Sequence, residues 1–165
     1  MNYPEFVKSL AKPFPDKQDR INHALVGMLG EVGELIDVHK REWIYEQPFD
    51  LLNIIEELGD FYFYFTMLKN EFRAPERNYY PIRKVHFEML VFKIAGDLSF
   101  MYEIDDPETM EFYIDEVEGI YLNILAELRI SQYDILTHNI SKLQKRYPNA
   151  SYSNEDAIAR ADKKD

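Results

Sequence analysis

Residues 30–60 read GEVGELIDVHKREWIYEQPFDLLNIIEELGD and contain two acidic tetrads, EVGE at 31–34 and ELGD at 57–60. When Glu31 and Glu57 are set at the same angle of a helix with about 100° per residue, their apolar neighbours coincide. Each segment then has an apolar stripe bordered by two carboxylates one turn apart. The repeat predicts two amphipathic helices that pack face to face and bring the four acids together. These acids are Glu31, Glu34, Glu57 and Asp60.

Four neighbouring carboxylates in a partly buried groove cannot all stay ionised without a counter-charge. Oxygen ligands with no Cys or His favour hard cations, so the pattern predicts Mg²⁺ or Mn²⁺ as the cofactor. A single Glu-x-x-Glu on a helix is more often a solvated face, and the repetition is what favours a metal site. Glycines at 27, 30, 33 and 59 each cost a helix about 1 kcal/mol relative to Ala, which indicates that other groups approach this backbone.

Composition limits the kind of protein to which this site belongs. The chain has 165 residues, 46% of them hydrophobic, which suits one domain spanning 1–165. The absence of cysteine excludes disulfides and thiolate metal sites. A net charge of −11 argues against sequence-independent binding of DNA or RNA polymers. The N-terminus lacks an apolar signal core and no apolar run is long enough for a membrane span, so we expect a cytoplasmic protein without membrane contact.

The periodicity predicts an all-α bundle of about five helices and no strand. Asp50 is the expected N-cap of the second helix, and Pro107 suits the first turn of the fourth. An acid-rich run from 103 to 118 indicates a solvated face. Residues 1–17 are expected to form a short helical or irregular arm, and the tail from 149 is polar. The expected helices are about 16–45, 51–72, 82–103, 107–129 and 132–147.

The two tetrads, the aromatics that follow the second one, and NISKLQKRYP at 139–148 strongly resemble the MazG-like all-α nucleoside triphosphate pyrophosphatases. The resemblance covers about residues 20–72 and 125–162, and the stand-alone phage and bacterial members look most similar. It implies a Mg²⁺-dependent hydrolase that converts a (d)NTP and water into a (d)NMP and pyrophosphate. The four acids match the family's metal ligands, and no protein nucleophile is required. Specificity for dUTP or dCTP is the alternative within the same superfamily.

The third motif carries the cations. Asn139, Lys142 and Arg146 fall within about 60° of one another on a helix, so they form one polar stripe. A solvated basic face near a helix C-terminus is the alternative; the resemblance favours contacts with the β- and γ-phosphates.

Other candidates for substrate binding border the same groove. Lys40 is a second candidate for phosphate, although bases are common at helix ends. His23 lies about 20° from Glu34 around the helix and is a candidate for contact with base or phosphate. Asn53 and Tyr64 flank the second tetrad on the metal side, and Tyr64 is the best candidate for stacking against a nucleobase.

About fifty residues, 73–123, separate the second tetrad from the third motif, more than is common in the family. We interpret them as an inserted helical hairpin with three open roles: to cover an interface, to enlarge a dimer contact, or to cap the base pocket. The resemblance and an aromatic content of 15% lead us to expect a homodimer or higher homo-oligomer. A di-iron bundle is disfavoured because no Glu-x-x-His occurs, whereas a non-catalytic helical interaction protein remains the alternative class.

Overall fold

The computed structural model describes residues 2–72 and 85–163, and in these residues the chain is helical without strands. The all-α prediction is confirmed, with two short helices beyond the five expected. A 3₁₀ helix, Ala161–Lys163, follows the last α-helix. The α-helices are α1 (Tyr3–Leu10), α2 (Lys17–Tyr45), α3 (Leu51–Phe72), α4 (Phe87–Met101), α5 (Pro107–Leu128), α6 (Gln132–Arg146) and α7 (Asn154–Ala159).

The two tetrad helices, α2 and α3, begin at the predicted positions, each directly after a capping aspartate. The Asp16 side chain accepts hydrogen bonds from the first-turn N–H groups of α2. The Asp50 carboxylate accepts one from the Asn53 N–H at 3.1 Å, satisfying a donor that the helix itself leaves free. Between the helices, Glu46 ends α2 in the left-handed conformation. The predicted bounds of both helices are confirmed.

The core forms where α2 packs along α3. The predicted apolar stripe of α2 is buried at Ile21, Leu25, Met28, Val32 and Leu35. Its other two members, at 29 and 36, are only partly buried against the core, because they lie at the edges of the stripe. Burial of each large aliphatic side chain stabilises the fold by about 1.5–3 kcal/mol, so this packing sets the relative position of the two tetrads.

The inserted helices α4 and α5 pack together, with α4 also lying against α2 and α5 against α3. Tyr121 of α5 is fully buried and contacts Phe61 and Tyr62 of α3, with ring centroids 5.8 and 4.9 Å apart. The predicted start of α4 at 82 lies outside the described residues. The insertion therefore completes the hydrophobic core of the tetrad helices.

The prediction that the acid run 103–118 is a solvated face is wrong for Glu118. Its side chain is buried and its Oε1 lies 2.5 Å from Lys69 Nζ. Lys69 lies near the end of α3, 49 residues before Glu118. This ion pair makes burial of the carboxylate tolerable, and no local sequence pattern indicates it.

Both ends of the chain fold back beside α3 and α6. Helix α1 packs on α3, and its Asn2 and Glu5 form a capping box. The tail, expected only to be polar, forms α7 and the 3₁₀ helix, which contact α6. Ser153 caps α7 by accepting a hydrogen bond from the Asp156 N–H. None of the described helices is long and apolar enough to cross a membrane.

Candidate metal and ligand site

A pocket of about 660 Å³ lies on the tetrad side of the bundle, within the size range of small-molecule sites. Carboxylates, cations and aromatic rings share its wall. No described residue of α4 or α5 lines it, so the described part of the insertion does not cap this pocket. The acids of the wall are Glu31, Glu34, Glu56, Glu57 and Asp60; the bases are Lys12, His23, Arg146, Arg160 and Lys163; the aromatic residues are Phe63, Tyr64, Tyr147 and Tyr152.

Three of the four predicted acids converge. Carboxylate oxygens of Glu31, Glu57 and Asp60 all lie within 4.8 Å of one another. Glu34 lines the same pocket but is not a member of this group. Oxygen ligands of one Mg²⁺ lie at most about 4.2 Å apart, twice the usual bond length. The three carboxylates therefore need at most a small inward shift to hold such a cation, and their donor type suits it.

The electrostatics of this group also fit a cation. Burial, followed by the neighbouring Asp60 and Glu57 carboxylates, raises the pKa of Glu31 to about 8. Burial likewise raises the pKa of Glu57. The metal-free cluster therefore retains a proton at neutral pH, because the nearby cations do not balance its negative charge.

The raised pKa of Glu31 predicts a pH dependence of stability in the absence of metal. Because the folded pKa of about 8 exceeds the ordinary glutamate value of 4.5, the stability linked to the protonated Glu31 is fully present below pH 4.5 and is lost as the pH rises through 8. The melting temperature of Glu31→Gln should therefore exceed that of the wild type at pH 9 in EDTA. Each kcal/mol of stability gained corresponds to about 2–4 °C. At pH 5 the difference should shrink. Thermal denaturation at both pH values tests this, and a constant difference would contradict it.

A buried hydrogen-bond chain holds Asp60. Tyr3 O–H donates to Asn139 Oδ1 at 2.8 Å, and Asn139 Nδ2 donates to Asp60 Oδ1 at 2.9 Å. Lys142 Nζ donates to Asp60 Oδ2 and, at 2.8 Å, to Glu56 Oε1. Burial raises the pKa of the Tyr3 hydroxyl, so it remains a donor. This chain links α1, α3 and α6 behind the carboxylate group.

Asn139 and Lys142, predicted as phosphate ligands, are therefore placed behind the pocket wall. Asn139 is 1% exposed and Lys142 is 8% exposed. A Cβ added at Gly59 would lie 3.0 Å from Asn139 Cβ, which explains the glycine at this position of the second tetrad. Burial opposes the charge of Lys142, but Asp60 and Glu56 outweigh burial and raise its pKa. In this structure the lysine neutralises acids.

Glu56 is a pocket acid that the sequence analysis did not single out. Burial alone would raise its pKa, but hydrogen bonds from Lys142 and Lys163 outweigh burial and lower the pKa to about 2. Glu56 is thus a fully ionised carboxylate beside the protonated cluster. It connects α3 to α6 and to the last described residue of the chain.

Arg146 lines the pocket as predicted, but much of its guanidinium is engaged. Its Nε and Nη2 donate to Asp162 Oδ1 and Oδ2 at 2.7 and 2.6 Å. Lys40 lies outside the pocket wall and pairs with Asp37 of its own helix. The structure therefore does not bring Lys40 together with the other candidates.

His23, Tyr64 and Asn53 line the pocket as predicted. The His23 ring makes edge contacts with Phe14 and Tyr64, at centroid distances of 5.4 and 5.7 Å. Burial, then the nearby Lys12, lowers the pKa of His23. The surroundings of the ring therefore disfavour the charged imidazolium that would pair with a phosphate.

Tyr64 sits directly over Gly27, where an added Cβ would meet the ring at 2.3 Å. Burial, then Glu31 and Asp60, raises the pKa of Tyr64 to about 12, which keeps its hydroxyl protonated. The glycine interpretation holds at 27 and 59; at 30 and 33 nothing described lies within 4 Å of an added Cβ. Gly30 itself lines the open pocket.

Asn53 bridges the second tetrad to α2. When the Asn53 amide nitrogen faces Glu57, it donates a hydrogen bond to Glu57 Oε1 at 3.2 Å. In the same orientation the amide oxygen accepts a hydrogen bond from Arg41 Nη2 at 3.1 Å. The side chain therefore orients one member of the carboxylate group.

Comparisons with protein-family models, with curated proteins and with solved structures find no match to this chain. The resemblance described above stays a prediction.

Several pocket residues were missed because they lie outside periodic segments. Lys12 is in the turn between α1 and α2, where prolines remove the helical pattern. Tyr152, Arg160 and Lys163 belong to the tail, whose return to the pocket depends on distant ion pairs. The resemblance covers the tail as far as 162, with Arg160 and Asp162 in it, and that was the one signal that pointed to these residues; Lys163 lies beyond it.

Proposed function

We propose that this protein is a Mg²⁺-dependent nucleoside triphosphate pyrophosphohydrolase of the MazG-like all-α type. The observation that carries the proposal is the three-carboxylate group, Glu31, Glu57 and Asp60, within a pocket of nucleotide size. Its oxygen spacing and its unbalanced negative charge, evident in the raised pKa of Glu31, both suit a divalent cation. Three of the four acids that the tetrads predict to converge do so, and they come from two packed helices.

The reaction is a displacement at phosphorus. A water oxygen bonds to the α-phosphorus, the bond between that phosphorus and the α–β bridging oxygen breaks, and pyrophosphate leaves with the bridging oxygen. The water's proton passes to a pocket carboxylate. The chemistry that Mg²⁺ supplies when bound by the carboxylate group is water activation and neutralisation of phosphate charge.

The chain's own residues orient this site. Asn139 and Lys142 fix Asp60 from behind, and Asn53 lies against Glu57. Such support keeps the ligand oxygens in place without contacting the substrate. Glu34, which lines the pocket outside the three-carboxylate group, is available to a second cation or to the attacking water.

The aromatic part of the wall suits a nucleobase. Phe63, Tyr64, Tyr147 and Tyr152 line the same pocket as the carboxylates. Flat aromatic faces beside polar groups are well suited to stack a base while the phosphates lie at the acids. The substrate class that fits both ends is a nucleoside triphosphate.

Turnover of a nucleotide panel tests the proposal. The protein is incubated with Mg²⁺ and each common ribo- and deoxyribonucleoside triphosphate, and products are separated by ion-exchange chromatography. Monophosphate plus pyrophosphate is expected, and the base that reacts fastest distinguishes a general enzyme from one specific for dUTP or dCTP. The absence of turnover with either Mg²⁺ or Mn²⁺ would favour the non-catalytic interaction protein instead.

We also expect a homodimer or a higher homo-oligomer, and the dimer is the simplest form to test. Exposed apolar residues flank the turn between α2 and α3, with Trp43 74% and Leu52 77% exposed, and a cluster of large exposed apolar side chains in one part of the chain favours an interface there. Light scattering at tens of micromolar should give the dimer mass, and Trp43→Glu with Leu52→Glu should give the monomer. Tyr133→Glu, at an equally exposed position on α6, is the control. A monomeric wild type would contradict this expectation.

A further inference from the structure

The last described segment, 154–163, is held at the pocket mainly by charge. Neither α7 nor the 3₁₀ helix contains a buried residue. The main link is the bidentate pair between Arg146 and Asp162, whose carboxylate-bearing side chain is only 1% exposed. Bidentate pairs of this kind fix orientation as well as position. The segment is therefore anchored beside the pocket by one nearly buried carboxylate.

Most cations near the pocket already have an acidic partner. Lys142 contacts Asp60 and Glu56, Lys163 contacts Glu56, and Arg146 contacts Asp162. Lys142, which these acids neutralise behind the pocket wall, is therefore not placed to contact a phosphate.

Two pocket-lining cations differ from these. Within residues 2–72 and 85–163, no hydrogen bond or ion pair engages the side chain of Lys12 or of Arg160, although both line the pocket. Lys12 Nζ lies 5.2 Å from the centre of the Phe14 ring. Cations that line a ligand-sized pocket without a carboxylate partner are available to an anion.

Arg160 has a defined backbone position. It ends α7 in the left-handed conformation, with φ of 45°, and its N–H donates to the Asp156 carbonyl oxygen at 3.2 Å. Asp162 follows two residues later, so the Asp162–Arg146 pair anchors the turn that carries Arg160.

We propose that Arg160, together with Lys12, binds the β- and γ-phosphates of the substrate, and that Asp162 is a positioning residue that holds Arg160 at the pocket. This inference rests on the proposed function for the identity of the ligand, and it transfers the phosphate-binding role from Lys142 to the two ends of the chain. The C-terminal segment is then a part of the substrate site.

Calorimetric titration with inorganic tripolyphosphate in the presence of Mg²⁺ tests the inference without requiring turnover. Arg160→Gln should weaken binding about tenfold or more, as expected for the loss of a charge-assisted hydrogen bond, and Arg160→Lys should recover part of it. Arg129→Gln is a matched control, because Arg129 is exposed, ends α5 in the same left-handed conformation and lies outside the pocket wall. Binding of Mn²⁺ alone should be unchanged in all three variants.

Asp162→Asn separates positioning from general stability. It should weaken tripolyphosphate binding in the wild type but have little further effect in the Arg160→Gln background, because both changes remove the same contact. In the turnover assay, Arg160→Gln should raise KM severalfold more than it lowers kcat. If Arg160 had only a structural role, KM and kcat would change to similar extents. The losses of tripolyphosphate affinity in Arg160→Gln and Asp162→Asn would then add in the double variant.

The outcomes distinguish this inference from the proposed function. Equal affinities of Arg160→Gln and Arg129→Gln for tripolyphosphate, or no binding by the wild type, would overturn the phosphate role. Arg160-dependent binding of tripolyphosphate without any nucleotide turnover would support the phosphate role while contradicting the hydrolase.

Discussion

Replacing Glu57 with Gln is expected to lower kcat for triphosphate hydrolysis by about 10³-fold, the scale of losing a central electrostatic group in an active site. Glu57 contributes one of the three carboxylates whose oxygens lie within 4.8 Å of one another. The amide keeps the shape of the side chain and removes the charge that a divalent cation needs. Steady-state kinetics with saturating Mg²⁺ measures the loss.

The same substitution should not lower the stability of the metal-free protein. Burial, together with the nearby Asp60 and Glu56 carboxylates, raises the pKa of Glu57, so removing its charge relieves desolvation and repulsion within the cluster. The melting temperature in EDTA should rise or stay the same, and the stabilisation that Mg²⁺ gives the wild type should disappear. Glu111→Gln, at an exposed acid of α5, serves as the control. If Glu57→Gln is as active as this control, the carboxylate group is not the catalytic metal site.

Lys142→Met is expected to be the most destabilising single change near the site, at about 3 kcal/mol, because it leaves the partly buried Asp60 carboxylate without its cation, whereas Glu56 keeps Lys163. Lys142 is 8% exposed and contacts both Asp60 and Glu56. For a domain of this size the loss corresponds to a fall of about 10 °C in melting temperature. Thermal denaturation in EDTA at pH 7 measures it.

Two further variants check the cause of this loss. Lys145→Met changes an exposed base on the same helix and should alter stability by less than about 0.5 kcal/mol. Adding Asp60→Asn to Lys142→Met should recover part of the loss, since the uncompensated charge is then gone. If Lys142→Met has the same melting temperature as Lys145→Met, Lys142 is not the counter-charge of Asp60.

Much of the architecture could be predicted from local sequence signals. Asp16 and Asp50 mark the starts of α2 and α3 because a side-chain oxygen before an apolar-periodic run satisfies free N–H groups. The matched phase of the two tetrads predicted that four acids converge, and three of them, Glu31, Glu57 and Asp60, do so. Both features depend on local information: the caps on the residue type at the start of each helix, and the convergence on the constant angle between successive helical residues.

The remaining features depend on contacts between distant parts of the chain. Lys142 was predicted to face phosphate, but 82 residues separate it from Asp60, and no local signal indicates that pairing. The burial of Glu118 and the return of the tail have the same origin, in ion pairs with Lys69 and Arg146. Periodicity gives the face of a helix on which a charge lies, whereas the charge's partner is decided by tertiary packing.

Hydrolysis in ¹⁸O-labelled water tests the central claim most directly. The wild-type protein, Mg²⁺ and the best triphosphate from the panel are reacted for a single turnover, and the products are analysed by mass spectrometry. Attack at the α-phosphorus predicts one ¹⁸O atom in the nucleoside monophosphate and none in pyrophosphate. Label in pyrophosphate, or release of labelled orthophosphate with a diphosphate, would contradict the account.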